Sequence, residues 1–222
     1  MKLKLFFLKF LLLTTFFLKA QSVKEVNTTD LIFESTKYSG LLPSKQIAIW
    51  YPNDFWAIIG AQMKFPPETM SRISNEMKNY LMFAVVDYTF MPTGKITFKS
   101  EDEIRKTILL TDSSKKTYFA LKGEEMSNGA KKMQDELKPI MEKMFGQLGE
   151  GMRILIFKAP NVDGKNTLDI TKKGDFTLNW DSTALKWKLP FYSVLAPKFC
   201  PIDNEEMKGN WFFCPEHGKK LK

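Results

Sequence analysis

Two cysteines, one histidine and three arginines are all that this chain of 222 residues holds of the residue types that dominate nucleophilic catalysis, metal ligation and nucleic-acid recognition. The single histidine, His217, follows Cys214 by three positions, so no imidazole is left to serve a serine nucleophile elsewhere. Basic residues come as scattered pairs, Lys115-Lys116, Lys131-Lys132, Lys172-Lys173 and Lys219-Lys220, with no arginine-rich stripe interleaved with aromatics, which argues against a nucleic-acid partner. No second apolar run reaches the roughly 20 residues that cross a bilayer, so no stable membrane insertion is expected once the N-terminal segment is removed.

That segment, residues 1–20, reads as an export signal. Lys2 and Lys4 supply a positive start, Phe10 to Leu18 a short apolar core, and Lys19-Ala20-Gln21 a small residue at which cleavage after Ala20 is expected. Lys9 breaks the stretch too early for a good spanning helix, and no cysteine follows the core to carry a lipid. Four of the 33 basic residues and none of the 25 acids lie in it, so half of the formal charge of +8 leaves with the signal. The expected location is periplasmic or secreted. The remaining chain, rich in apolar and aromatic residues, is long enough for one domain with a substantial core.

Residues 22–45 are polar and turn-like and read as an extended lead-in. Lys45 to Trp50 reads as a strand, Asn53 or Asp54 as the cap of a short helix, and Pro66-Pro67 as the start of a second, with Met70, Ile73 and Met77 at helical spacing. Leu81 to Phe90 reads as a buried strand; Ile96 to Phe98, Ile104 to Leu110 and Thr117 to Leu121 read as three more, in a meander. A helix over 127–148 carries Ala130, Met133, Leu137, Met141, Met144 and Leu148 on one side, with Pro139 expected to kink or restart it. Beyond Gly149, Arg153 to Phe157 reads as a central strand. A turn is expected around Asp163-Gly164, followed by a hairpin in which Phe176, Leu178 and Trp180 face Leu185, Trp187 and Leu189. The expectation is an α+β domain over 21–197, an antiparallel sheet with two packed helices.

The scarce cysteines and histidine fall inside a motif written twice. Phe199-Cys200-Pro201-Ile202-Asp203-Asn204, closed by Met207, is matched by Phe213-Cys214-Pro215-Glu216-His217-Gly218, closed by Leu221. Each copy sets an aromatic before Cys-Pro, a metal-ligating residue three positions after the cysteine, and then a residue tolerant of positive φ. Cysteine sulfur, imidazole nitrogen and carboxylate oxygen are zinc's usual donors. Two such loops facing one another would offer Cys200, Asp203, Cys214 and His217, with Met207 to Trp211 as a hairpin between them. Residues 199–221 resemble a zinc ribbon, whose usual form has two Cys-Pro-x-Cys-Gly knuckles; Asp203 and His217 stand where cysteine is commoner. The resemblance implies a small zinc-ribbon-like hairpin, residues 198–222, with a structural zinc site carrying binding contacts and no reaction. An oxidising compartment offers the same cysteines a disulfide, and oxidation of a metal-bearing pair to a disulfide would expel the metal.

Other motifs weigh less. Ser113 to Lys116 fits Ser-x-x-Lys in a loop-like context, Glu101-Asp102-Glu103 and Glu124-Glu125 are adjacent acids that suit a solvated face, and Asn161 to Gly164 lacks the oxygens of a calcium loop. The methionines at helical spacing, Met63, Met70 and Met77 with Met133, Met141 and Met144, suit core packing or a pliable apolar groove. The sequence thus points to an exported, non-enzymatic binding or accessory protein with a protein or an apolar ligand as partner. The alternatives are an exported hydrolase with acid or Ser-Lys chemistry in the main domain, and a carrier holding apolar ligands between Met-rich helices.

Overall fold

A computed structural model describes residues 26–222 apart from 63, 65, 163, 164 and 167. The expected signal over 1–20, Met63 and the Asp163-Gly164 turn centre lie outside these residues. Asn27-Thr28-Thr29-Asp30 starts a helix where an extended lead-in was expected: Asn27 Oδ1 accepts the N–H groups of Thr29 and Asp30, the role that suits asparagine at an N-cap. α1 (Thr28–Ser35) buries Leu31 completely. β1 (Thr36–Ser39), β2 (Ser44–Tyr51), α2 (Asn53–Gln62) and α3 (Pro67–Met77) follow, then β3 (Tyr80–Phe90) and β4 (Ile96–Phe98). Ile104 to Leu110 is divided between α4 (Glu101–Thr107) and β5 (Ile108–Asp112). A reciprocal cap makes the difference, because Ser100 and Glu103 each satisfy the other's backbone N–H and so stabilise a helical turn ahead of the apolar run.

β6 (Thr117–Phe119) precedes α5 (Asn128–Phe145), which runs on through Pro139 and ends at Gly146, φ +55°. Pro139 sits on the exposed side, where water can satisfy the carbonyl it leaves without a partner. Ala130, Met133, Leu137 and Met141 are buried as expected, whereas Met144 is 66% exposed. The chain continues through α6 (Gln147–Gly151), β7 (Arg153–Lys158), β8 (Asn161–Val162), β9 (Lys165–Asn166), β10 (Gly174–Trp180), β11 (Thr183–Leu189), β12 (Lys198–Phe199) and β13 (Glu206–Met207).

The fold class is α+β with antiparallel sheets, as the sequence suggests, but the main strands form two sheets, and the expected meander is split between them, β3 and β4 in one and β5 and β6 in the other. One has the order β1-β2-β3-β4, with β7 sharing the β4 edge of β3; the other has the order β11-β10-β5-β6. β3 is the spine. β2 runs along one side of it, from Ser44↔Thr89 to Tyr51↔Met82, while β7 and β4 divide the other, which accounts for its unbroken apolar stretch. Trp50 and Phe83, paired across β2 and β3, face the second sheet, where Phe176 and Trp187 stack with centroids 5.1 Å apart. Trp50 meets Phe176 at 4.7 Å and Phe83 meets Trp187 at 5.6 Å, both edge-on. On the opposite face Tyr51 packs on Phe55 at 5.0 Å and donates to Met141 Sδ at 3.5 Å, so α2 and α5 cover it. The result is helices on one sheet, and that sheet on another.

α1 ties this core to the C-terminal segment. Glu34 accepts the N–H groups of Tyr192 and Ser193 at 2.8 and 2.9 Å, and Tyr192 donates its hydroxyl to Asp30 at 3.1 Å. Lys208 stands 4.1 Å over the Tyr192 ring. Burial pushes the Glu34 carboxyl above its ordinary value, against the pull of the Ser193 and Tyr192 N–H groups. Glu34→Ala would leave two N–H groups without an acceptor, at a cost of about 1–3 kcal/mol in denaturant unfolding, and speed amide exchange at 192–193. Glu34→Gln, which keeps an acceptor and removes a buried charge, is expected to lose less.

Candidate metal centre

Both copies of the motif fold alike. In the first, Asn204 N–H donates to Cys200 O at 2.9 Å and Cys200 N–H to Glu205 O at 2.9 Å; in the second, Gly218 N–H donates to Cys214 O and Cys214 N–H to Lys219 O, each at 2.8 Å. Asn204 and Gly218 both take φ +62°, the left-handed turn that the sequence provides for with asparagine and glycine. β12 pairs with β13 around the first loop, and Phe213 bridges to Lys220 around the second. Phe199 and Lys222 exchange backbone hydrogen bonds at 3.1 Å, and Leu221 N–H donates to Phe212 O at 3.0 Å, so the two loops lie side by side. Their interior is Cys200, Met207, Cys214 and Leu221.

Each copy is therefore its own hairpin, and the expected hairpin over Met207 to Trp211 is instead a turn closed by Trp211 N–H on Lys208 O at 2.9 Å. Gly209 in that turn lies against the preceding backbone: a Cβ there would sit 2.4 Å from Ala196 O and 2.6 Å from Leu195 Cβ. Gly209→Ala is expected to destabilise by about 1–3 kcal/mol through overpacking, seen as faster exchange in 207–211.

Three of the four expected ligands, Cys200, Cys214 and His217, converge, while Asp203 meets His217 from outside that group. His217 Nδ1 lies 3.5 Å from Cys200 Sγ, 3.5 Å from Cys214 Sγ and 3.5 Å from Asp203 Oδ2. Cys200, Cys214 and His217 have ligand atoms all within 4.8 Å of one another. A tetrahedral zinc with Zn–S of about 2.3 Å and Zn–N of about 2.0–2.1 Å has S···N edges of about 3.5 Å. The Cys/His group thus has the donor chemistry and spacing to hold a metal ion. Both cysteines are free and buried. Glu216 forms a second exposed grouping with Asp203 and His217; its only sequence signal is its place beside the histidine.

The loops also prepare the donors electrostatically. The N–H groups of Asp203 and Ile202 point at Cys200 Sγ, and those of His217 and Glu216 at Cys214 Sγ, the former reaching it at 3.4 Å. Burial pushes the Cys200 thiol up. Burial works the same way on Cys214, but the His217 N–H, its ring and the Glu216 N–H outweigh it and lower that thiol. The Glu205 N–H, donating at 3.0 Å, and the Cys200 contact hold Asp203 below the usual carboxylate range. The Cys214 contact draws the His217 imidazole upward.

Elsewhere the other sequence motifs have structural occupations. Ser113 and Lys116 lie in the exposed β5–β6 turn, where Asp112 accepts the N–H groups of Ser114 and Lys116. Glu101 pairs with Arg105, Glu103 caps α4, and Glu125 accepts the Lys122 N–H. Met77, Met133 and Met141 are core side chains. No helix among the described residues is long and apolar enough to cross a membrane. No family model matches the chain, and no curated protein and no solved structure matches it, so the zinc-ribbon resemblance rests on residues 199–221 alone.

Proposed function

We propose that this chain is an exported, non-enzymatic binding or accessory protein whose residues 198–222 are organised by one structural zinc ion, with Cys200, Cys214 and His217 as ligands and Asp203 as the fourth. The observation that carries the reading is the placement of His217 Nδ1 at 3.5 Å from two sulfurs and a carboxylate oxygen, the edge lengths of a zinc tetrahedron. Asp203, beside His217, would close the coordination sphere as the fourth protein donor. A catalytic zinc keeps a position for water or substrate, so a closed set favours a structural role. The two thiolates with imidazole suit zinc better than a hard cation such as magnesium or calcium, which takes oxygen ligands. Export is supported by the pattern of residues 1–20, and N-terminal sequencing of the exported chain should begin at Gln21.

Zinc affinity measured by competition with a chromophoric chelator tests the ligand set. Cys200→Ser and Cys214→Ser are expected to lose stoichiometric zinc and His217→Ala to lose most of it. Asp203→Ala should retain zinc at an affinity roughly 10–100-fold lower, the range that a weak ligand or its support contributes. Unchanged affinity in both cysteine variants would remove the assignment.

A further inference from the structure

Between the end of β11 and the terminal hairpins lies a cleft of ≈ 580 Å³, within the size range of small-molecule sites. Lys172, Lys173, Lys188 and Lys198 line it, and no carboxylate does. Lys172 is held by Asp169 at 2.6 Å. Among the described residues the other three make no ion pair, Lys198 Nζ donating only to the Trp211 carbonyl, and Asp175, opposite Lys188 across the β10–β11 ladder, forms none with it. The same cleft is lined by Leu189 and Leu195, both buried, and by Phe212, a residue 72% exposed with Lys198 Nζ 4.9 Å from its ring centroid.

Positive charge without a counter-charge and apolar surface without a cover meet here, and a ligand must answer both. An inorganic anion would satisfy the ammonium groups and leave Phe212 facing water. A neutral lipid would cover the apolar surface and strip water from lysines that gain nothing in return. Lysine stems can lie along an apolar chain while their heads reach its charged end.

We propose that this cleft binds an anionic amphiphile, a single negative head on an apolar chain such as a long-chain carboxylate, with the head at Lys173, Lys188 and Lys198 and the chain against Leu189, Leu195 and Phe212. This gives the proposed binding role a ligand class and rests on that non-enzymatic reading. Lys173 and Lys188 belong to the main body and Lys198 and Phe212 to the terminal hairpins, so zinc content is measured separately on the same sample.

Titration calorimetry of the full chain with decanoate below its micellar concentration tests the proposal, with decanol and inorganic phosphate as comparisons. Decanoate is expected to bind saturably at one per chain, more tightly than either comparison. The Lys173→Ala/Lys188→Ala double variant should weaken it tenfold or more, and Phe212→Ala should weaken it while leaving the response to phosphate unchanged. The Lys131→Ala/Lys132→Ala control on α5 should bind as the parent chain does. Absence of saturable decanoate binding to zinc-replete chain would overturn the proposal and leave the metal reading intact. So would decanol or phosphate binding as tightly as decanoate, or a double variant that binds unchanged.

Discussion

Removal of zinc from the loaded chain with excess chelator is expected to abolish amide protection across residues 198–206 and 212–222 while the two packed sheets keep theirs. Cys200, Met207, Cys214 and Leu221 are the whole buried apolar cluster of this segment. Four residues cannot offset the conformational entropy of ordering two hairpins, at roughly 1–2 kcal/mol for each backbone residue fixed. Structural zinc in small finger modules contributes about 10–16 kcal/mol, enough to decide whether such a segment is ordered. The main core lies in a separate cluster built on β3 and the β10–β11 hairpin and should not respond. The turn over 207–211 should respond less than the hairpins, because Lys208 on Tyr192 and Asn210 Nδ2 on Pro190 O at 3.4 Å fasten it to the body. Hydrogen exchange with mass detection reads all three regions at once. Cys214→Ser should give the chelated pattern at any zinc concentration, and hairpins that stay protected without metal would show that backbone pairing alone suffices.

The second large effect is expected at Trp187. Its ring is fully buried, stacks on Phe176 at 5.1 Å and meets the edge of Phe83 at 5.6 Å, while its Nε1–H donates to Ser35 O at 2.9 Å. The side chain therefore joins the second sheet to the first and to the end of α1. Trp187→Ala should cost about 3–5 kcal/mol from the lost burial and the cavity, with a further penalty of about 1–3 kcal/mol for the Ser35 carbonyl left without its donor. A domain stable by about 5–15 kcal/mol has little left after that, so the variant should be largely unfolded or recovered as aggregate. Trp187→Phe, which keeps an aromatic ring and loses the donor, should fold with a clearly lowered denaturation midpoint. Equal midpoints for Trp187→Phe and the parent would show that the bond to Ser35 carries no weight.

How much of this was legible in the sequence depended on whether the deciding interaction was local. The alternation of Phe176, Leu178 and Trp180 with Leu185, Trp187 and Leu189 fixes which face is buried, and all six are buried in one antiparallel pair. Ser100 and Glu103 form an equally local cap, but the apolar weight of Ile104 to Leu110 masks it and suggests one strand where α4 gives way to β5. α1 is short and polar, and what holds it is tertiary: Leu31 in the core, Ser35 O on Trp187 and Glu34 on the backbone of 192–193. The pairing of Leu110 with Leu178, on which the second sheet depends, leaves no mark near either residue. At the candidate site, the doubled Cys-Pro motif and its positive-φ positions were readable because each loop folds on its own neighbours. The side-by-side placement of the two copies was not, because it depends on Lys222 returning to pair with Phe199.

The most direct measurement is the mass of the chain, purified without chelator, under native and then denaturing conditions. A native mass heavier by one zinc, together with a denatured mass that retains both thiol hydrogens, is expected from His217 Nδ1 placed between two free cysteines and Asp203. A metal-free native mass with a denatured chain two hydrogens light, showing Cys200 bonded to Cys214, would contradict it.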